Sequence, residues 1–488
     1  MTPDTTFRRL ARRTASAFAV VCMMTAGTTT AAQAQDLSYL QGLLDAMAEG
    51  TWVKASTNLY SDAWASPLDG GLPSGTYSDP GAVVKSWSNI AWDPNRARLM
   101  LWGGGHAAYM GNEMYLWEGA SGTWTRGSLP SRLVSGGNAV FYVVDDAAPQ
   151  SAHSYDNGLF LPHIDRYVTF GGAAFNTGAG FVTRDANGNP VGAGPWLWDP
   201  SKADANKVGG TTGSGYLPSV EGGQMWANRA DTYTGTRGQS PLEGTSAYRE
   251  ENGRDVVYTT RDSNASGFPN LYRYMPGDPA TNELDRWDVV GRSWNASSSQ
   301  SAAAIDSDNG YYVRISNKAN TYDEFGLGLW DLNQIDLGSD ALIGDRWIEL
   351  HDSTGAIFRT NRDMGIAFDE ASGRFYLWDG KDFGTVYSTA PEFDASGTLL
   401  DAWTVTKHTS AGAQPEGNFA NGVLGKWIYV AELQAFIALD EYNAATQDAA
   451  VWLYKPQITM IPEPQAAAML IAGLIALQWR RKAQARRG

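Results

Sequence analysis

The sequence predicts an all-β protein built as a β-propeller of six blades, with seven blades as the alternative count. Glycine (54 residues) and tryptophan (19 residues) are both frequent in the 488-residue chain, as expected for a fold with many turns and much aromatic packing. Short aromatic and aliphatic runs are separated by Gly, Pro, Asp and Asn, which is the pattern of β-strands joined by tight turns. The same unit recurs along the chain, and repeated four-stranded units are typical of a propeller.

The unit is clearest between Asn89 and Trp124. Apolar runs at Ile90–Trp92, Leu99–Trp102 and Met114–Trp117 are separated by an Asp-Pro-Asn-Arg turn and by a polar loop that follows three glycines. With a last strand at Trp124, four strands fit into about forty residues, which is the length of one propeller blade. This stretch is therefore predicted to form a complete blade.

Six segments follow the same strand–turn–strand template, and they are Asn89–Gly105, Gly158–Gly172, Ser246–Asp262, Ser301–Ser316, Met364–Asp379 and Gly422–Asp440. Most copies are expected to close on a strand that contains a tryptophan, at Trp124, Trp226, Trp287, Trp347 and Trp403. Aspartate recurs in the turns of the template, at Asp93, Asp306 and Asp369. Because an aspartate in a turn accepts hydrogen bonds from nearby backbone N–H groups, a structural role is predicted for all three.

The sixth copy has no closing strand of its own. It ends at Tyr454, whereas an isolated strand around Trp52 has no neighbour nearby in the sequence. An N-terminal strand that completes the last blade would close the ring and remove exposed sheet edges. The propeller is therefore predicted to span residues 51–457, preceded by a short helix or linker at residues 35–50.

The first two copies resemble kelch motifs. They share a diglycine after the second strand, and the second copy is preceded by a His-Ser-Tyr sequence; these residues are Gly103-Gly104, Gly171-Gly172 and His153-Ser154-Tyr155. The resemblance implies a kelch-like propeller of the galactose oxidase central-domain type. Copper chemistry of that kind needs a Tyr–Cys crosslink, but the single cysteine, Cys22, lies in a predicted signal peptide. The sequence therefore excludes that chemistry for the processed chain.

Both ends of the chain carry predicted sorting segments. Residues 1–34 have a basic beginning, an apolar run at Ala17–Met24 and a small-residue cleavage site at Ala32-Gln33-Ala34, which together predict a signal peptide. At residues 461–488, a Pro-Glu-Pro sequence, a short apolar run and an arginine cluster resemble the PEP-CTERM sorting domain. That resemblance implies transient membrane anchoring, processing by an exosortase, and export to the cell surface or extracellular matrix together with exopolysaccharide. The alternative is a plain C-terminal membrane anchor.

The formal net charge of −15 argues against a nucleic-acid partner, because phosphate binding needs a basic face. No sequence motif predicts a metal or another cofactor, and the two histidines on the predicted site face, His106 and His153, are too few for a zinc or copper site. Calcium remains an open alternative.

The candidate site lies on the propeller face formed by two sets of loops, those from strand two to strand three and those that lead into the next blade. Four residues there are candidates for catalysis, namely His106, His153, Tyr155 and Arg229. Eight more are candidates for binding, namely Tyr109, Asn112, Arg261, Arg359, Arg362, Lys381, Asp440 and Glu441. Aromatic rings can stack on sugars, while guanidinium and amide groups hydrogen-bond hydroxyls or carboxylates.

Two functions fit this combination of residues. The first is a non-catalytic module that binds an exopolysaccharide or another envelope partner on the channel-rim face. The second is a polysaccharide lyase acting on a uronate-containing glycan, in which His, Tyr and Arg side chains transfer the proton and neutralise the carboxylate. A sialidase-like hydrolase is a weaker third alternative, because its Asp-box repeats are absent from the sequence.

Overall fold

The computed structural model describes residues 36–65, 79–131, 133–135, 141–143, 147–175, 183–184, 190–191, 194–211, 221–235, 244–260, 270–297, 300–319, 321, 324–417 and 419–457. The predicted signal peptide and the predicted sorting domain at residues 461–488 lie outside these ranges. Within the described ranges, no helix is long and apolar enough to cross a membrane.

The chain forms the predicted six-bladed β-propeller. Each of the first three blades contains four antiparallel strands, and in blade three two short strands also pair in parallel with the last of the four. Blade one contains Asn89–Asp93, Arg98–Trp102, Tyr115–Glu118 and Thr123–Arg126. Blade two contains Gly158–Leu161, Arg166–Thr169, Trp196–Trp198 and Trp226–Asn228. Blade three contains Thr245–Glu251, Arg254–Thr260, Asn270–Met275 and Asp285–Arg292.

The second half of the ring repeats this arrangement. Blade four contains Ala303–Asp306, Tyr311–Lys318, Phe325–Asp331 and Arg346–His351. Blade five contains Gly365–Asp369, Arg374–Trp378, Thr385–Thr389 and Thr406–Thr409. Blade six contains Trp427–Val430, Ala435–Leu439 and Val451–Lys455, followed in space by the N-terminal strand Thr51–Lys54.

The N-terminal strand closes the ring as predicted. Thr51–Lys54 pairs antiparallel with Val451–Lys455, so that Trp52 lies opposite Tyr454. The Trp52 indole packs on Trp378 and Trp427 of blades five and six, with ring centroids 5.3 and 5.5 Å apart. The two ends of the propeller sequence are therefore joined by backbone hydrogen bonds and by aromatic packing.

The hydrophobic core consists of clusters at the interfaces between neighbouring blades. Large side chains from facing sheets meet there, for example Trp102 and Tyr167 between blades one and two, and Val313 and Leu377 between blades four and five. Equivalent clusters occupy the other four interfaces. The first strands of successive blades contact one another all the way round, which makes them the inner wall of the channel.

The aspartates that recur in the blade turns have the predicted structural role. Oδ1 of Asp93 accepts hydrogen bonds from the backbone N–H groups of Asn95 and Arg96. Asp306 and Asp369 make the same kind of contact in their own turns. These carboxylates therefore cap the turn between the first and second strands.

One strand differs from expectation. The closing strand of blade five is Thr406–Thr409, whereas Trp403 lies on Ala402–Thr404, which pairs in parallel with the outer strand of blade four. The Trp403 side chain is buried between these two blades. The tryptophan pattern therefore located the end of blade five correctly but assigned Trp403 to the wrong sheet.

The remaining elements connect or flank the blades. Among the residues described before blade one, two segments are α-helical, Ser38–Ala46 and Gly81–Lys85. Short 3₁₀ helices occur at Tyr60–Ala63, Pro200–Lys202, Pro279–Thr281, Leu332–Gln334 and Leu424–Lys426. Additional short strands are Leu133–Ser135, Phe141–Val143, Ala152–His153, Ala173–Ala174, Thr183–Arg184, Pro190–Val191, Tyr233–Gly235, Ala296–Ser297, Ile343–Gly344, Ile357–Phe358 and Ala402–Thr404.

Candidate functional site

An aromatic and histidine cluster lies where the segments that lead into blades one and two meet. The His153 ring is 4.6 Å from the Trp87 ring, 6.1 Å from His106 and 5.9 Å from Tyr155, measured between centroids. We call these four residues the imidazole cluster. The structure thus brings together three of the four residues predicted for catalysis, His106, His153 and Tyr155.

Glycines allow the loops around His153 to approach so closely. A Cβ atom on Gly105 would lie 2.0 Å from the backbone nitrogen of His153, and one on Gly172 would lie 1.7 Å from its carbonyl oxygen. The backbone N–H of His106 donates to the carbonyl of Ala173, 3.1 Å away. The glycine runs of blades one and two are therefore needed to press both loops against the His153 segment.

Backbone strain is concentrated in and around the imidazole cluster. Among the described residues, twelve non-glycine residues have positive φ, and five of these are Trp87, Ala107, Tyr155, Gln300 and Leu424. Ala107 follows His106, Gln300 accepts a hydrogen bond from the Trp87 indole at 3.0 Å, and Leu424 packs with Tyr155 and Trp87. Bulky residues in this conformation cost free energy and tend to occur at functional sites.

His153 is a buried, neutral imidazole at pH 7. Its side chain is only 4% exposed, and burial together with the neighbouring His106 lowers its pKa to about 4, against a smaller opposing effect of the His106 backbone. Nε2 of His153 has no hydrogen-bond partner among the residues that the structure describes. An unpaired buried polar atom is costly, and this nitrogen retains its capacity for one hydrogen bond.

Polar contacts surround Asp156, the residue that follows Tyr155 of the cluster. Asp156 accepts a hydrogen bond from the backbone N–H of Ala303 at 2.9 Å, and its backbone carbonyl accepts another from Ser246. Burial raises the pKa of the Asp156 carboxyl well above its usual range. Gly425 lies so close that a Cβ atom there would be 2.5 Å from both Asp156 Oδ1 and Asn89 Cβ. Segments from five blades therefore meet around Asp156, the residue that follows Tyr155.

The structure gives Arg229 a different environment from the one that its predicted role requires. Its guanidinium group is 5% exposed and donates to Asp285 Oδ1, with the closer nitrogen 2.7 Å away. The same group donates to the carbonyl of Glu283. This buried ion pair joins blades two and three, so the Arg229 guanidinium group is engaged by the protein itself.

Several residues predicted for binding are also held in internal hydrogen bonds. The Tyr109 hydroxyl donates to Glu113, and the Asn112 amide donates to Ser131 and to the carbonyl of Pro149. The Asp440 carboxylate accepts from the backbone of Glu416 and Gly417 and from the Trp452 indole. Tyr109, Asn112 and Asp440 are buried, so they shape the loops instead of facing solvent.

The remaining binding candidates have varied positions. Lys381 is exposed and forms an ion pair with Asp363, which Arg362 also approaches. Arg359 is exposed, and Oε1 of Glu441 accepts a hydrogen bond from the Tyr442 backbone. Arg261 lies outside the described residues. None of the described contacts connects these residues to the imidazole cluster.

Two members of the site were missed at the level of sequence. Trp87 and Gln300 lie in the segments that lead into blades one and four. The rule used for the other lead-in segments, applied to blade one, would have pointed to Trp87. No sequence signal marks Gln300, because its role depends on a contact across the channel mouth.

The described residues contain no group of three or more His, Cys, Asp or Glu side chains arranged to hold a metal ion. The described site consists of the aromatic rings of Trp87 and Tyr155, the imidazoles of His106 and His153, and the amide of Gln300.

No protein-family model and no curated protein sequence matches the chain. Among solved structures, it is similar to an α-L-arabinofuranosidase from Fusarium graminearum, with a TM-score of 0.39, 9% identity, and coverage of 78% of this chain and 95% of that chain. It is also similar to an α-L-arabinanase from Penicillium chrysogenum, with a TM-score of 0.36, 11% identity, and coverage of 79% and 96%. A third similar structure is the Dos1 propeller, with a TM-score of 0.35, 11% identity, and coverage of 77% of this chain and 86% of that chain.

Proposed function

We propose that this protein binds a glycan at the imidazole cluster on the face of the propeller. The observation that carries the proposal is the concentration of strained backbone around His153, whose Nε2 is buried without a partner among the described residues. Strained backbone and unpaired buried polar atoms tend to occur where a protein binds a ligand. The exposed imidazole of His106 and the partly exposed indole of Trp87 lie at the surface of the same cluster.

The chemistry of the cluster suits a polyhydroxylated ligand. A neutral imidazole nitrogen can exchange a hydrogen bond with a hydroxyl group, which neither demands nor contributes a full charge. The Trp87 indole, fixed by its hydrogen bond to Gln300, offers an apolar surface beside that nitrogen. A sugar ring combines both features, since it has an apolar face and hydroxyl groups at its edge.

Export and surface sorting form part of the proposal. The Pro-Glu-Pro segment and the kelch resemblance of blades one and two support a kelch-like protein that an exosortase processes and that acts beside exopolysaccharide. Replacing Glu463 by Ala should then leave an uncleaved, membrane-associated chain in cell fractionation. Normal release of that variant would argue for a different sorting route.

Polysaccharide lyase activity is the second candidate. It is favoured by one observation, a histidine that is neutral at pH 7 next to a tyrosine and a second histidine. In such a reaction a base removes the C5 proton of a uronate, and a C4=C5 double bond forms as the C4–O bond breaks. The leaving oxygen keeps the electron pair of that bond and takes a proton from an acid. The engagement of Arg229 with Asp285 leaves the uronate carboxylate without its predicted neutralising group.

The test is a binding panel of neutral and uronate-containing glycans, measured by calorimetry, with ultraviolet absorbance recorded for any new double bond. We expect at least one glycan to bind, and His106→Ala and Trp87→Ala each to weaken that binding about tenfold or more. His163→Ala is the control, because His163 lies on the opposite face and contacts Glu250. Unchanged binding in both cluster variants would overturn the proposal, and glycan cleavage would favour the lyase.

A further inference from the structure

A second aromatic surface lies at the junction of blades three and four. Trp294 follows the last strand of blade three, and its side chain is 46% exposed. Exposed hydrophobic side chains that occur singly are ordinary on protein surfaces and need no function. Trp294 differs because hydrogen bonds fix the backbone of its loop and its indole lies against a glycine.

One buried carboxylate holds the whole Trp294 loop. Asp345 accepts hydrogen bonds from the backbone N–H groups of Trp294, Asn295 and Ala296, at 2.6, 2.9 and 2.7 Å, and from the Ser293 hydroxyl at 2.7 Å. Its backbone carbonyl accepts another hydrogen bond from the Asn295 amide. Bonds to a charged acceptor are stronger than those between neutral groups, so these contacts make the loop rigid.

The Trp294 ring also lies against Gly344, which has no side chain. A Cβ atom on Gly344 would lie 2.7 Å from the indole, so glycine at this position leaves room for the ring to lie against the backbone. Gly344 belongs to a short strand that pairs with the end of blade three, one residue before Asp345. The same two-residue segment therefore supports the indole from below and fixes its backbone.

We infer that Trp294 is a second carbohydrate-binding site, a rigid platform on which the apolar face of a sugar ring stacks. The inference rests on the proposed glycan-binding function, since the ligand class is the same. The loop is ordered before any ligand arrives, so binding there loses little conformational entropy. The exposed side chain of Arg292 lies two residues before the indole in the sequence, and its guanidinium group suits the hydroxyl groups of a sugar better than an apolar protein surface.

The experiment compares binding of cellohexaose, xylohexaose, mannohexaose and polygalacturonate by calorimetry. It uses the wild-type protein, the single variants Trp294→Ala, Trp294→Phe and His106→Ala, and each Trp294 variant combined with His106→Ala. We expect Trp294→Ala to lower affinity about tenfold, which corresponds to about 1.4 kcal/mol, and Trp294→Phe to retain part of the binding. The His106→Ala protein should keep a weak interaction that Trp294→Ala removes.

The control is Phe393→Ala, which removes an aromatic side chain of similar exposure from a blade-five loop. Thermal unfolding should be alike in all surface variants. If Trp294→Ala binds every probe like the wild type while His106→Ala does not, the platform is refuted and the channel-face site stands. If only Trp294→Ala loses binding, the platform stands and the channel-face site falls. A wild-type protein that binds none of the probes refutes both.

Discussion

Replacing His153 by Gln should make the stability of the protein less sensitive to acid. The unfolded imidazole has an ordinary pKa of about 6.5, whereas burial beside His106 lowers the folded-state pKa to about 4. Between these values the unfolded chain binds a proton that the folded protein excludes. Wild-type stability therefore falls as pH decreases through this window, and the contribution of His153 levels off below about pH 4.

The magnitude follows from the difference between the two pKa values. The wild-type protein should lose about 2 kcal/mol of unfolding free energy through His153 between pH 7 and pH 5, and about 3 kcal/mol by pH 4. The glutamine side chain cannot take up this proton, so the variant should lack this loss. Its free energy of unfolding, relative to wild type, should therefore rise by these amounts as the solution is acidified.

The assay is urea unfolding followed by tryptophan fluorescence at several pH values from about 7 to 4. Other groups titrate in the same range, including His408, whose pKa is also lowered by burial. Their contributions cancel when the two proteins are compared at each pH. Parallel curves for wild type and His153→Gln would show that His153 is not a buried neutral imidazole, and would remove the argument for a ligand at its Nε2.

Two further predictions concern ring closure and the channel mouth. Trp52→Ala should lower the free energy of unfolding in urea by about 3–5 kcal/mol, because it empties an aromatic site between blades five and six; a loss below about 1 kcal/mol would contradict this closure. Gly425→Ala should destabilise the protein by about 1–3 kcal/mol and weaken glycan binding, because the new methyl group would collide with Asp156. Gly42→Ala, whose Cβ meets nothing within 4 Å, is the matched control and should be neutral or slightly stabilising.

Much of the fold could be read from local patterns. Strand runs, turn aspartates such as Asp93 and the unpaired N-terminal strand at Trp52 all depend on neighbouring residues or on a simple count of strands per blade. The requirement that a ring has no free edge then determined which strand completes blade six. Trp403 shows the limit, because a tryptophan-containing strand can pair with either adjacent blade and its sequence does not say which.

The candidate site was only partly accessible in the same way. The glycine runs of blades one and two marked the loops that pack against the His153 segment, since close backbone approach is a local property of glycine. Burial and pairing are not local properties. Arg229 donates a hydrogen bond to Asp285, which lies 56 positions further along the chain. The Tyr109 hydroxyl donates to Glu113 in the protein interior.

The sequence by itself determined the repeat, the turns and the loops that carry the two histidines, because each of these follows from residues close together in the chain. It also determined the closing strand, because a ring without a free edge needs a fourth strand in blade six. Tertiary structure alone decided that Trp87 lies on His153, that Gln300 fixes its indole and that His153 is neutral. The physical reason is that a pKa and a hydrogen-bond partner depend on the groups that surround a side chain in space. In a propeller those groups come from several different blades.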